Sequence, residues 1–136
     1  MKKKIFSIWL LLSFAWTAII LRHSYMPAET SNAVSLGVLG SLQAVFPWLT
    51  NHILRKAGHF TEFAILGIFW TGTFRNAKNF TLFKPLGMCL FTAVCDETLQ
   101  LFIAGRSGNV RDIWIDFAGA FLSTLVTCLI YQFRKR

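Results

Sequence analysis

The sequence is poor in charged residues, and in acidic residues above all. Only 15% of the 136 residues are Asp, Glu, Lys or Arg, whereas an average soluble domain has about 25%. Six residues are acidic, and the apolar residues, 54% of the chain, fall in blocks rather than in alternation. This composition argues against a soluble domain and is typical of a membrane protein. A chain of this length forms one domain at most.

Cysteine is scarce and is not spaced for metal binding. Cys89, Cys95 and Cys128 lie within apolar blocks, and neither Cys-x-x-Cys nor His-Glu-x-x-His occurs in the sequence. These absences argue against a disulfide framework and a zinc site, so we predict no metal and no cofactor. The net charge of +8 does not indicate nucleic-acid binding. The basic triplets at 2–4 and 134–136 flank apolar blocks, as topology signals do.

Long apolar stretches predict an all-α integral membrane bundle of four transmembrane helices. The spans cover about residues 5–21, 53–74, 85–104 and 111–133. The first is longer than the apolar region of a signal peptide, about 7–15 residues, and no small-x-small cleavage site follows it. Residues 27–51 contain too many glycines and polar residues to span. We predict an interfacial amphipathic helix there, in the first outer loop, and a single membrane domain over residues 1–136.

The basic residues predict an orientation in the plasma membrane. If both termini are cytoplasmic, most Lys and Arg residues lie inside, in agreement with the positive-inside rule: Lys2, Lys3, Lys4, Arg75, Lys78, Lys84, Arg134, Lys135 and Arg136. All six acids and all three histidines then lie in the outer half: Glu29, Glu62, Asp96, Glu97, Asp112, Asp116, His23, His52 and His59. The unusual chemistry is therefore expected on the outer side.

Three of the predicted spans each place polar side chains on one helical face through i, i+3 or i, i+4 spacing. The sets are Arg55, His59 and Glu62; Thr92, Asp96 and Gln100; and Asp112 and Asp116. A carboxylate at the centre of a membrane helix costs about 2.5–3.5 kcal/mol on insertion scales, so these acids need partners. We expect the counter-charges to come from Arg55, Lys56, Arg106, Arg111 and His59.

The ordered set of motifs resembles the VanZ-like family of membrane proteins, over about residues 53–124. It consists of Arg-Lys-Ala-Gly-His-Phe-Thr-Glu-Phe (55–63), Asp-Glu-Thr-Leu-Gln-Leu-Phe (96–102), Gly-Arg-Ser-Gly-Asn-Val-Arg-Asp (105–112) and Asp-Phe-Ala-Gly-Ala (116–120). The chain departs from the family pattern at Phe63, where Tyr is usual, at Asp116, where Asn is usual, and at Ala104, where Pro is frequent. The resemblance implies a cell-envelope role linked to resistance to teicoplanin-type glycopeptide antibiotics.

The candidate site residues fall into two groups. Those that could move protons are Asp96, Glu97, His59 and Glu62, since burial and mutual repulsion separate the proton affinities of neighbouring carboxyl groups. Those that could hold an anionic substrate are Lys56, Gln100, Arg106, Arg111, Asp112 and Asp116, in which arginine offers a fork matched to phosphate oxygens. A hydrogen bond between His59 and a carboxylate is favoured over a metal site.

Three functions remain open at this point. The first is binding of a lipid-linked or anionic cell-wall precursor at an outward-facing polar site, with membrane lipids as the surroundings. The second is an intramembrane transferase or hydrolase that uses the acidic residues. The third is a non-catalytic structural subunit whose charges only join its helices. The sequence specifies no oligomeric state.

Overall fold

A computed structural model of the chain describes residues 2–75 and 79–133, and within these ranges it consists of five helices and no strand. The helices are α1 Lys2–Ser24, α2 Ala28–Gln43, α3 Asn51–Phe74, α4 Phe83–Gln100 and α5 Val110–Phe133. Some of the basic residues used to predict the topology lie outside the described residues, namely Lys78, Arg134, Lys135 and Arg136, as do the side chains of Lys2, Lys3 and Lys4.

Two helices of the described chain are long and apolar enough to cross a membrane. They are α1, from Phe6 to Ser24, and α5 over its whole length, Val110–Phe133. Both match apolar stretches of the sequence, and α5 begins one residue earlier than expected. The all-α fold class is thereby confirmed.

The helix α4 ends at Gln100, four residues before the end of the third predicted span. The next three residues are held by hydrogen bonds to the residue three positions back, such as Phe102 N to Leu99 O at 3.0 Å, which tighten the turn. Gly105 then adopts a φ of +73°, a conformation that glycine reaches without strain. The chain turns back at this point toward the start of α5.

The helix α3 is central and packs against all the other helices. Its buried residues Phe63, Leu66 and Trp70 form the core together with Ile20 of α1, Cys89 and Ala93 of α4, and Ala120 of α5. Polar pairs within this core are satisfied locally. The hydroxyls of Thr71 and Thr124 lie 3.3 Å apart, and those of Ser13 and Thr73 lie 3.1 Å apart.

Helices α3 and α5 approach each other closely at Gly119. A Cβ atom at this position would overlap the carbonyl oxygen of Phe60 and lie 3.3 Å from the backbone nitrogen of Ala64. The absence of a side chain at Gly119 therefore sets the separation of the two helices. Small residues allow the same close approach between helices in membranes generally.

We expect Gly119→Ala to destabilise the protein by about 1–3 kcal/mol, because an added methyl group meets backbone rather than a movable side chain. Gly87→Ala is the matched control, since a Cβ at Gly87 in α4 meets no described atom within 4 Å. That change should leave stability equal or slightly higher, because alanine favours helix. Thermal unfolding in detergent measures both, and equal melting temperatures for the two variants would contradict the packing described.

Candidate functional site

One end of the bundle collects polar side chains from four helices. At this end α1 and α4 finish, at Ser24 and Gln100, while α3 and α5 begin, at Asn51 and Val110. The N–H group of Ala28, at the start of α2, also donates to the carbonyl of Ala104 at 3.3 Å. Several polar side chains near these helix ends therefore lie close to one another.

Three carboxyl groups in this region are almost completely buried. The exposed fraction is 0% for Asp116, 1% for Asp96 and 4% for Glu97. Together with His59 they form a compact group, in which one donor atom from each residue lies within 4.8 Å of the other three. We call His59, Asp96, Glu97 and Asp116 the buried cluster. Helix α4 contributes two of its members, and α3 and α5 contribute one each.

Hydrogen bonds orient two of the three acids. The hydroxyl of Ser24 donates to Oδ1 of Asp96, and Nε2 of Gln100 donates to Oδ2 of the same residue at 3.2 Å. The backbone N–H of Asn109 donates to Oε2 of Glu97 at 2.7 Å. Ser24 and Asn109 were not among the residues predicted from the sequence. Their positions in the sequence could have identified them, because Ser24 follows the first apolar stretch and Asn109 precedes the fourth.

Asp116 is held differently from the other two acids. Its Oδ1 lies 3.3 Å from Nδ1 of His59, and Oδ2 of Asp96 lies 4.0 Å from the same nitrogen. The geometry does not make a hydrogen bond, and both carboxylate oxygens of Asp116 lack a hydrogen-bond partner in the described part of the chain. His59 is therefore the residue that approaches two acids of the buried cluster at once.

One ion pair and one contact between a histidine and a carboxylate lie beside the cluster. Nζ of Lys56 pairs with Oδ1 of Asp112, and this carboxylate is largely buried. Nδ1 of His23 lies 2.7 Å from Oε1 of Glu62. The pairing of Glu62 with His23, a residue outside the predicted site, joins α1 to α3. These two contacts fit the structural role considered for the charges.

The arginines do not neutralise the buried acids as the sequence suggested. Among residues 2–75 and 79–133, neither Arg55 nor Arg106 forms an ion pair with a carboxylate. Instead, Nη1 of Arg55 donates to the side-chain oxygen of Asn32 at 3.2 Å, and Nη2 of Arg106 donates to the carbonyl of His23 at 3.2 Å. Burial lowers the pKa of the Arg106 guanidinium, and the nearby Arg55 lowers it further.

A polar cavity of about 310 Å³ opens between α3 and the segment that joins α4 to α5. Three basic side chains, Arg55, Lys56 and Arg106, line it and outnumber its one acid. The other lining residues are Asn51, His52, His59, Gln100, Gly105, Ser107, Asn109 and Asp112. His59 belongs both to this lining and to the buried cluster, and it therefore connects the cavity to the acids.

A second cavity of about 410 Å³ adjoins the first and is lined mostly by apolar atoms. It lies between α1, α2 and α3, with Met26, Val34, Val38 and Leu54 among its walls. Arg55, His59 and Arg106 line both cavities. We refer to the two spaces as the polar cavity and the apolar cavity.

The structure thus distributes the predicted site residues over three places. Lys56, His59, Gln100, Arg106 and Asp112 line the polar cavity, and Asp96, Glu97 and Asp116 lie in the buried cluster. Glu62 lines the apolar cavity. Arg111 is exposed and is not part of the described lining of either cavity.

The fold and the buried cluster define a small all-helical protein with a charged site enclosed by helix ends. A model of the VanZ/LLP1 family matches residues 9–131, and the chain belongs to this family. The match confirms the resemblance found in the sequence and extends it to most of the chain. Comparison with the curated proteins and with the solved structures gives no match.

We expect Lys56→Met to destabilise the protein by about 1–3 kcal/mol, because it leaves the carboxylate of Asp112 buried without its partner. Asp112→Asn should cost less, since Lys56 is the more exposed of the two side chains. In the double variant the two losses should not add, because no unpaired carboxylate remains. Unfolding in detergent micelles measures the coupling. Arg111→Met, which removes a positive charge from an exposed side chain, is the control, and strictly additive losses would argue against the pair.

Proposed function

We propose that the chain is a cell-envelope membrane protein whose polar cavity binds the anionic headgroup of a lipid-linked cell-wall precursor. Membership of the VanZ/LLP1 family and the two apolar helices support a place in the membrane. In this proposal α1, α3, α4 and α5 span the membrane, and α2 lies at its outer interface. The polar cavity and the buried cluster lie near the outer surface.

The exposed apolar surface supports the four-span arrangement. The outer face of α4 exposes Leu90, Phe91 and Val94, and α1 exposes Leu11 and Phe14. Soluble monomers rarely expose apolar patches of this extent. The helix α3 carries more polar residues, but it is enclosed by its neighbours and needs no continuous lipid-facing surface. On α2, exposed Val34, Leu36 and Val38 suit an interfacial position.

The basic residues support an orientation with the polar cavity outside. Arg75 and Lys84 lie at the opposite end of the bundle, at the end of α3 and the start of α4. The guanidinium of Arg75 lies 4.0 Å from the centre of the Tyr131 ring and so remains near that end of α5. Both termini are then cytoplasmic, as the positive-inside rule favours.

The observation that carries the proposal is the pair Arg55 and Arg106. Two neighbouring guanidinium groups repel each other, and in the described chain no carboxylate pairs with either of them. Nε of Arg106 is buried and has no hydrogen-bond partner among the described residues. A phosphate or pyrophosphate between the two arginines relieves the repulsion and accepts bidentate hydrogen bonds. Lys56 and Gln100 line the same space and add further donors.

The apolar cavity supports a lipid-linked ligand rather than a free anion. Because Arg55, His59 and Arg106 line both cavities, an amphiphile can place its phosphate in one and its first hydrocarbon units in the other. Ligand sites of this kind combine a mostly apolar surface with a few placed polar groups. If the protein holds or alters such a precursor at the outer surface, it changes the precursor that is accessible to a glycopeptide antibiotic there. Reduced susceptibility to teicoplanin is the cellular effect we propose.

An intramembrane hydrolase is the second candidate, and the position of His59 favours it. His59 lines the polar cavity and lies 3.3 Å from Asp116, so a proton taken from water at the cavity could be stabilised by that carboxylate. Attack of the water oxygen on the terminal phosphorus of a polyprenyl pyrophosphate would form a new P–O bond and break the P–O bond of the anhydride, which gives inorganic phosphate and the polyprenyl monophosphate, while His59 holds the proton taken from water. Phosphate released from a polyprenyl pyrophosphate, and lost in His59→Gln, would indicate this reaction in place of binding alone.

We expect Arg106→Gln and Arg55→Gln each to weaken binding of a polyprenyl phosphate by about 10- to 100-fold, because each removes a charge-assisted hydrogen bond. Native mass spectrometry or fluorescence titration in detergent measures the affinity. Arg22→Gln removes the same charge at the same end of the bundle from an exposed position outside the described cavity walls, and it should bind normally.

The susceptibility of cells to teicoplanin is measured with the same variants. Cells that express the wild-type protein or Arg22→Gln should survive higher teicoplanin concentrations than cells that express Arg106→Gln at equal membrane abundance. Equal affinity of all variants for the lipid would overturn the assigned anion site. Loss of affinity without any change in susceptibility would retain the anion site and overturn the link to the antibiotic.

A further inference from the structure

The buried cluster has a charge imbalance that the proposed anion site does not explain. Asp96, Glu97 and Asp116 are three carboxyl groups in one buried volume, and among the described residues no Lys or Arg lies within ion-pair distance of any of them. His59 is the basic group that approaches them, through a single nitrogen. Burying carboxylates without compensation costs several kcal/mol each, and either protonation or a further positive charge offsets that cost.

The cluster also contains acceptor atoms that nothing in the described chain satisfies. These are Nδ1 of His59, Oε1 of Glu97 and both Oδ atoms of Asp116. Asp116 is completely buried, so its two oxygens are shielded from bulk water as well. Because buried polar atoms in proteins are nearly always partnered, four such atoms in one group indicate a missing occupant.

The arrangement of the four residues suits a single small ion. One donor atom from each of His59, Asp96, Glu97 and Asp116 lies within 4.8 Å of all the others. The four residues belong to three separate helices, so their donor atoms converge from different directions. The hydrogen bonds that Asp96 and Glu97 accept from Ser24, Gln100 and the backbone of Asn109 fix the acids in place. Outer hydrogen bonds orient metal ligands in the same way.

We propose that the buried cluster binds one divalent metal cation, with Nδ1 of His59 and carboxylate oxygens of Asp96, Glu97 and Asp116 as its ligands. Three carboxylates and one imidazole form a mostly hard donor set, which suits Mn²⁺ and, with the imidazole, Zn²⁺ or Fe²⁺. The sequence favoured a hydrogen bond between His59 and a carboxylate, because it contains no familiar metal motif. The ligands come from three helices, so no local spacing reveals them.

The polar cavity provides a route for the ion. His59 lines this cavity, and two further lining residues, Ser107 and Asn109, are exposed. The three carboxyl ligands are buried and do not line the cavity, whereas Arg55 and Arg106 are half-buried and do line it. A cation in the cluster and an anion in the cavity therefore occupy different places. The inference therefore holds whether or not the cavity binds a lipid phosphate.

The test uses the full chain in detergent, stripped with EDTA and titrated with Mn²⁺ alone. Loss of the free Mn²⁺ signal in electron paramagnetic resonance should reveal one bound ion per chain. Asp116→Asn should weaken that binding by more than about tenfold, because it removes a ligand rather than a supporting hydrogen bond. Glu29→Gln, at an exposed acid of α2, is the control and should bind as the wild type does.

A second measurement on the wild-type protein covers the case in which Asp116→Asn does not fold. Bound Mn²⁺ should show electron spin-echo modulation from one imidazole nitrogen, and this modulation should disappear in His59→Gln but persist in His23→Gln and His52→Gln. Absence of Mn²⁺ and Zn²⁺ binding by the wild-type protein overturns the proposal. Binding without nitrogen modulation, or binding equal in Asp116→Asn and wild type, places the ion elsewhere and overturns it as well.

Discussion

The polar end of this protein depends on one constraint: three carboxyl groups are buried there, and none of them has a lysine or arginine partner among the described residues. Taking a carboxylate out of water costs several kcal/mol, and only good hydrogen bonds or an opposite charge offset this cost. Asp96 and Glu97 receive hydrogen bonds from Ser24, Gln100 and Asn109, which come from α1, α4 and the segment before α5. The ends of the helices are thus joined around the acids, while Asp116 lacks such support from the described residues.

The basic residues are arranged so that they remain available. A purely structural network would place each arginine against an acid, as Lys56 is placed against Asp112. Arg55 and Arg106 instead donate to neutral oxygens of Asn32 and His23, and both line the polar cavity. Positive groups at the cavity and negative groups beneath it form two adjacent regions of opposite charge. In the two proposals above, the first region binds an anion and the second binds a cation.

Most of the helical fold could be predicted from the sequence, because apolar blocks and helical spacing are local properties. The spacing of Asp96 and Gln100, for example, puts both on one face of α4, and they are hydrogen bonded there. Which faces of two helices contact each other depends on tertiary packing, which local sequence patterns do not specify. The pairing of His23 with Glu62 and the bond from Ser24 to Asp96 depend on how α1 lies against α3 and α4. The sequence analysis paired the arginines with the acids because their charges are opposite. The sequence does not show in which direction each side chain points in the folded chain.

The proposed function requires that the charged end of the bundle faces the outside of the cell and is open to it. The direct measurement is labelling of Ser107→Cys, a position that lines the polar cavity, in a chain whose three native cysteines are replaced. A maleimide that does not cross membranes should label this cysteine in intact cells. Labelling that occurs only after the cells are permeabilised would place the site on the cytoplasmic side and contradict the claim.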